Sequence, residues 1–142
     1  MKDLKALHIM ARPAVSAIRT ATAIDIAVQL LSGPYSGMPV TDEQGQLVGV
    51  VTEFDLLKAA EDGRDLANTV AEEIMSTRVV AAEVNTPVSE LMRILTDNNI
   101  IRLPITDNDK LVGVVARCDV LGTLIDPEFV NSRAASLVRA NP

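Results

Sequence analysis

The sequence predicts a mixed α/β fold of two related halves, each ordered strand, helix, strand, strand, helix, and related by a pseudo-two-fold axis. Three observations predict it. Gly-Met-Pro-Val-Thr-Asp at residue 37 returns as Arg-Leu-Pro-Ile-Thr-Asp at residue 102, and Leu-Val-Gly-Val-Val at residue 47 returns unchanged at residue 111. Short apolar runs alternate with stretches that are apolar at helical spacing. The chain has 142 residues, 48% of them hydrophobic, enough for a core without disulfide staples.

Each repeat opens on an Ile-Met pair, Ile9-Met10 and Ile74-Met75, with Thr22 matched to Thr86 further on. A short extended piece follows, over residues 16–18 or 79–82. An amphipathic helix comes next. Ile24, Ala27, Val28 and Leu31 mark its apolar face in the first copy, and Val88, Leu91, Met92 and Leu95 in the second. Thr86 and Pro87 suit the N-cap and first helical position of the second copy. A hairpin then turns through residues 42–46 or 107–110. Pro39 pairs with Pro104 and Asp42 with Asp107 at an offset of 65, whereas Gly49 pairs with Gly113, Asp55 with Asp119 and Leu57 with Leu121 at 64. The odd residue therefore falls in the first turn, near Gly45. The Leu-Val-Gly-Val-Val runs are continuously apolar and predict strands buried on both faces. A second helix follows, over residues 53–60 or 117–125.

The predicted organisation is a first repeat at residues 1–62, a polar connector at 63–73, a second repeat at 74–126 and a C-terminal helix or tail at 127–142. One repeat of about 60 residues is marginal alone. Two copies with matching apolar helix faces most simply pack on each other, which leaves two related clefts between them.

Composition excludes several functions. Thirteen Lys and Arg stand against nineteen Asp and Glu, a net charge of -6. That balance opposes a duplex-binding face and a polybasic membrane contact. Aromatics number three, Tyr35, Phe54 and Phe129, too few for base-stacking platforms. One cysteine (Cys118) and one histidine (His8) make neither a disulfide nor a zinc site of ordinary spacing. Asp107-Asn108-Asp109 lacks the glycine and glutamate of a calcium loop and reads as a turn. No nucleophile, base or metal set is legible, so no enzyme is expected. No signal peptide or spanning segment is legible either, so the expected location is the cytoplasm.

In this order, Ile-Met, Thr, Pro-Val/Ile-x-Asp, Leu-Val-Gly-Val-Val and Asp-Leu/Val-Leu, the repeat resembles the cystathionine-beta-synthase (CBS) domain. Its double occurrence, over about residues 9–60 and 74–125, resembles the tandem pair called a Bateman module, here read as standing alone. The resemblance implies a regulatory sensor that binds an adenosine-containing ligand, AMP, ADP, ATP or S-adenosylmethionine, between the repeats. It also implies a homodimer and a regulated protein that the sequence does not identify.

The family's ligand motif is a glycine, two apolar residues, Ser or Thr, two variable residues and Asp. It is complete at residues 49–55. By resemblance Gly49 allows close backbone approach, Thr52 presents its hydroxyl at a helix start, and Asp55 accepts bonds from ribose hydroxyls. Thr52 and Asp55 also match a capping box, and the two roles are compatible. The family's basic pair before Leu-Pro is reduced here to Arg102, which reads as a phosphate contact across the pair or as a surface charge. Ala17 and Ile18 would lie against the adenine. The second cleft is weaker. Asp119 remains, but Ala116 replaces the hydroxyl, Arg117 is a phosphate contact or a solvated charge, and Ala81 and Ala82 take the adenine-facing place. The alternative is a structural dimerisation module without a ligand.

Overall fold

The computed structural model describes residues 4–33 and 35–125, so the expected tail helix lies outside them. The elements run α1 (Ala6–Ile9), β1 (Ala17–Ile18), α2 (Ala23–Leu31), β2 (Gly37–Thr41), β3 (Leu47–Thr52) and α3 (Glu53–Glu61). After a 3-10 turn at Leu66–Asn68 come α4 (Ala71–Ile74), β4 (Ala82–Glu83), α5 (Val88–Asp97), β5 (Arg102–Asp107), β6 (Lys110–Ala116) and α6 (Arg117–Gly122). Each half holds a three-stranded sheet, β1-β2-β3 or β4-β5-β6. In each, the short first strand runs parallel to the middle one and the third antiparallel to it. This is the mixed α/β architecture expected.

Turn chemistry explains the change of offset. Asn108 and Asp109 both take positive φ, 51° and 67°, as a two-residue primed hairpin turn requires. The first turn is one residue longer. The Asp42 carboxylate accepts from the backbone N–H of Gln44 and Gln46, both at 2.9 Å, and Gly45 takes φ 81°.

Two cores result. Ile26, Leu30, Met38, Val40, Val51 and Leu56 fill the first, and Leu91, Leu95, Leu103, Ile105, Val115 and Val120 the second. Each fully buried side chain of this kind contributes about 1.5–3 kcal/mol of transfer free energy. The buried face of α5 is the expected one, with Val88, Leu91 and Leu95 inside and Met92 half-buried. That of α2 is not. Ala23, Ile26 and Leu30 are buried, while Ile24, Val28 and Leu31 point outward. Asp25 and Gln29 are the only polar residues of α2, so its apolar residues offered two overlapping faces and period alone did not choose between them. The strands also differ from expectation. Along β3 only Gly49 and Val51 are buried, the other residues being half-buried, so the sheet is not covered on both faces. Thr86 does not cap α5, because Pro87 occupies the N-cap. Thr22 caps α2 by accepting from Asp25 N–H at 3.2 Å, and its structural counterpart is Pro87: each forms the isolated bridge before its helix.

The halves are not joined through helix faces. The Ile-Met segments cross between them instead. Ala6 of α1 is buried in the second core, held by N–H bonds from Ala6 to Thr86 O (2.9 Å) and from Leu7 to Val84 O (3.0 Å). Ala71 of α4 is buried in the first core, its N–H on Ala21 O at 2.8 Å. Beyond each short helix the chain runs beside the third strand of that half, pairing Ser76 with Val50 and Ala11 with Val114. The hairpin turns also meet. Leu47 N–H donates to Asp109 O (3.0 Å) and Leu111 N–H to Gly45 O (3.1 Å).

Candidate ligand-binding site

The two crossing segments and the two sheets enclose one cavity of about 580 Å³, a volume suited to a small organic ligand. Its lining follows the pseudo-symmetry. Pro39 and Pro104, Val50 and Val114, and Thr52 and Ala116 all contribute to its wall. This cavity thus draws its wall from both halves of the chain. The sheets supply its apolar floor, and the crossing segments supply Pro13, Ala14 and Val15 from one side of the chain and Arg78, Val79 and Val80 from the other.

Of the residues expected at the site, Thr52, Arg102 and Asp119 line this chamber. Thr52 ends β3 opposite Gly37, and Arg102 begins β5 opposite Ala116. Asp119 is in the first turn of α6 and accepts from Ala116 N–H at 2.8 Å. The others are placed elsewhere. The Asp55 carboxylate turns back on Thr52, accepting from its N–H at 2.9 Å and its hydroxyl at 3.1 Å, while Asp55 N–H donates to Thr52 Oγ1. That is a closed capping box, and Asp55 is not part of the cavity wall. Gly49 serves the crossing segment. A Cβ there would meet the Met75 side chain and lie 3.0 Å from Ser76 O, and one on Gly113 would lie 2.9 Å from Ala11 O.

Ala17 and Ile18 pair with Val40 and Thr41, at the end of β2 away from Gly37 and Thr52. Three residues of strand separate the two places, about 10 Å. The extended piece touches the cavity earlier, through residues 13–15. In the second half, likewise, Ala82 is buried in β4 opposite Ile105, and Ala81 lines a separate hollow of about 390 Å³ with Gln46, Thr77, Thr106 and Asp109. Arg117 braces the chain before β5, its Nε on Ile100 O at 2.7 Å and its Nη2 on Asn99 Oδ1 at 3.1 Å. It is not part of the cavity wall.

The residue that sequence reasoning missed is Arg78. It lines the chamber with Arg102, and neither forms an ion pair among the described residues. Arg78 lies outside the repeated motif, three residues after Met75, so only the path of the crossing segment reveals it. The chamber thus offers two guanidinium groups from different parts of the chain, the hydroxyl of Thr52 and the carboxylate of Asp119. Among the described residues no cluster of three or more His, Cys, Asp or Glu could hold a metal ion, and no helix is long and apolar enough to cross a membrane.

Compared with known families, the chain matches the CBS domain twice, over residues 4–62 and 70–126. An uncharacterized protein of Methanopyrus kandleri is 30% identical over 85% of this chain, which spans 63% of that protein's length. The CBS domain-containing protein YhcV of Bacillus subtilis is 30% identical over 89% of this chain and 91% of its own. Among solved structures, the CBS domain pair of protein MJ0100, in complex with 5'-methylthioadenosine and S-adenosyl-L-methionine, superposes with a TM-score of 0.71 at 26% identity. That match covers 85% of this chain and 95% of the other.

Proposed function

Because the chain belongs to the CBS domain family and carries the domain twice, we propose that it is a regulatory module whose shared cavity binds an adenosine-containing ligand. The observation that carries this reading is the chamber lined by two arginines without carboxylate partners among the described residues. A guanidinium without a carboxylate partner is a receptor for phosphate oxygens; Arg102 is half-buried and Arg78 exposed at the rim. AMP, ADP or ATP therefore suits the site better than the sulfonium cation of S-adenosylmethionine, although the MJ0100 pair holds the latter. Arg78 and Arg102 take the phosphate, and Asp119 accepts from the ribose. The apolar floor of Pro39, Val50, Pro104 and Val114 takes the base.

The crossing segments supply the regulation. They form walls of the chamber and also tie each half to the other's sheet. A ligand that touches them favours one setting of the halves, to the extent of its differential affinity. The partners of this reading are a second copy of the chain and a regulated protein, in the cytoplasm, with no catalysis by the module itself.

Isothermal titration with AMP, ADP, ATP and S-adenosylmethionine tests this on the wild type and Arg102→Ala. A thermal-shift scan accompanies it, because ligand at about 100 times its Kd stabilises by roughly 2.7 kcal/mol. Binding that weakens in a folded Arg102→Ala variant is the expected result. Absence of binding by all four ligands would leave the ligand-free dimerisation module as the function.

A further inference from the structure

The wall that carries Arg102 is held by a side chain outside the chamber. Between α5 and β5 the chain turns through residues 98–101, and Asn99, Ile100 and Ile101 line the cavity just ahead of Arg102. The N–H side of this turn is tied to α5. Asn99 N–H donates to Thr96 O and Ile100 N–H to Leu95 O, both at 3.2 Å, with Asn99 at φ 51°. That is a Schellman closure, and Asn tolerates the left-handed position it needs. The oxygen side is tied to the start of α6 by one residue. Arg117 donates from Nε to Ile100 O at 2.7 Å, from Nη2 to Asn99 Oδ1 at 3.1 Å, and from its backbone N–H to Ile101 O at 2.9 Å. A planar guanidinium fixes the direction of both side-chain bonds at once. Arg117 forms no ion pair among the described residues, so its charge is not engaged elsewhere.

The first half cannot build this brace. Glu53 stands 64 residues earlier, at the place of Arg117, and a carboxylate has no proton to donate to the carbonyls of Tyr35 or Ser36. The repeat therefore folds without an arginine at this position. The half that has one is also the half that carries Arg102, where the first half has Gly37. We propose that Arg117 is a positioning residue for the chamber: it holds residues 99–101 by their oxygens and so sets where Arg102 meets the phosphate of an adenine nucleotide. This role rests on the nucleotide reading of the chamber. Arg117 itself stays off the cavity wall, so its effect on affinity passes through Arg102 and not through a contact of its own.

Isothermal titration with AMP of the wild type, Arg117→Met, Arg102→Ala and the double variant tests this. Met keeps a long side chain without donors and suits an exposed helix position, and circular dichroism checks the fold. Arg117→Met is expected to weaken AMP binding about fivefold when Arg102 is present and not at all when Arg102 is gone, because a residue that acts through another has no effect without it. Amide exchange followed by NMR on the nucleotide-free protein tests the brace by itself. It is expected to quicken at Asn99 and Ile100 in Arg117→Met and to stay unchanged at Gly37. An equal loss of AMP binding in both backgrounds would make Arg117 a direct phosphate contact and overturn the inference, as would unchanged exchange. A wild type that binds no AMP overturns the nucleotide reading and this role with it. A wild type that binds AMP, with Arg117→Met binding it equally well, overturns the role alone.

Discussion

The Asp55 carboxylate accepts from both the backbone N–H and the hydroxyl of Thr52, at 2.9 and 3.1 Å. Its counterpart Asp119 has only the backbone N–H of Ala116, at 2.8 Å. The first half therefore starts its last helix with a complete capping box, and the second half with half of one. Thr52→Ala is expected to lower unfolding free energy by about 1 kcal/mol, and Ala116→Thr to raise it by up to the same amount. Guanidinium denaturation of the two variants measures both. Equal and negligible effects would mean that the Thr52 hydroxyl is not held by the cap.

The glycine of Leu-Val-Gly-Val-Val makes room for the other half's crossing segment. A Cβ on Gly113 would lie 2.9 Å from a backbone oxygen, and backbone does not yield as a flexible side chain does. Gly113→Ala and Gly49→Ala are each expected to cost about 1–3 kcal/mol through overpacking. Gly122, at the end of α6, meets nothing within 4 Å, so Gly122→Ala gains up to about 1 kcal/mol. If Gly49 instead served a ligand, Gly49→Ala would keep its melting temperature and lose only binding.

Arg78 and Arg102 reach the chamber from a crossing segment and from a strand start, so in the proposed complex each would act on the phosphate independently. Removing either is expected to weaken AMP binding by about tenfold, the worth of one charge-assisted hydrogen bond. Adenosine, which has no phosphate, should bind Arg78→Ala and Arg102→Ala as it binds the wild type. Titration of both ligands into both variants decides the point. A parallel loss of adenosine binding would assign the arginines a structural role.

The double repeat made the order of elements and both sheets legible, because Pro39, Gly49 and their copies recur in the same order, with a spacing that changes by one residue only in the hairpin turn. The choice of buried face was legible for α5, where Ser89, Glu90 and Arg93 mark the solvent side. It was not legible for α2, where only Asp25 and Gln29 do so. The site was legible only in part. Thr52, Arg102 and Asp119 follow from local motif position. Arg78 and residues 13–15 depend on where the chain crosses between halves, and a path through space leaves no local pattern. The displacement from Ala17 to Val15 has a simple cause: residues 17 and 18 are taken up by pairing with β2.

The outer surface of the first half carries an acid-sensitive clamp. Arg19 follows β1 and holds Glu43 of the hairpin turn at 3.0 Å and Glu72 of α4 at 2.8 Å. It thus ties the crossing segment to the sheet beneath it. The hydrogen bond from Arg19 holds the Glu43 carboxyl below its ordinary value. Glu73 is also lowered, first by the backbone N–H of Val70 and then by Arg64. A carboxyl lowered in the folded state binds fewer protons there than in the unfolded chain. Its contribution is therefore full above the ordinary glutamate range near about pH 4.3 and is lost as pH falls through the lowered value. Both groups are solvent-exposed, so each contribution is modest. Urea denaturation across this acidic range should show a shallower loss of stability for Glu43→Gln and Glu73→Gln than for the wild type. Added salt should shrink the Glu43 difference more than the Glu73 difference, because a guanidinium partner is screened and a backbone N–H is not. Equal salt sensitivity would show that the Val70 bond does not dominate at Glu73.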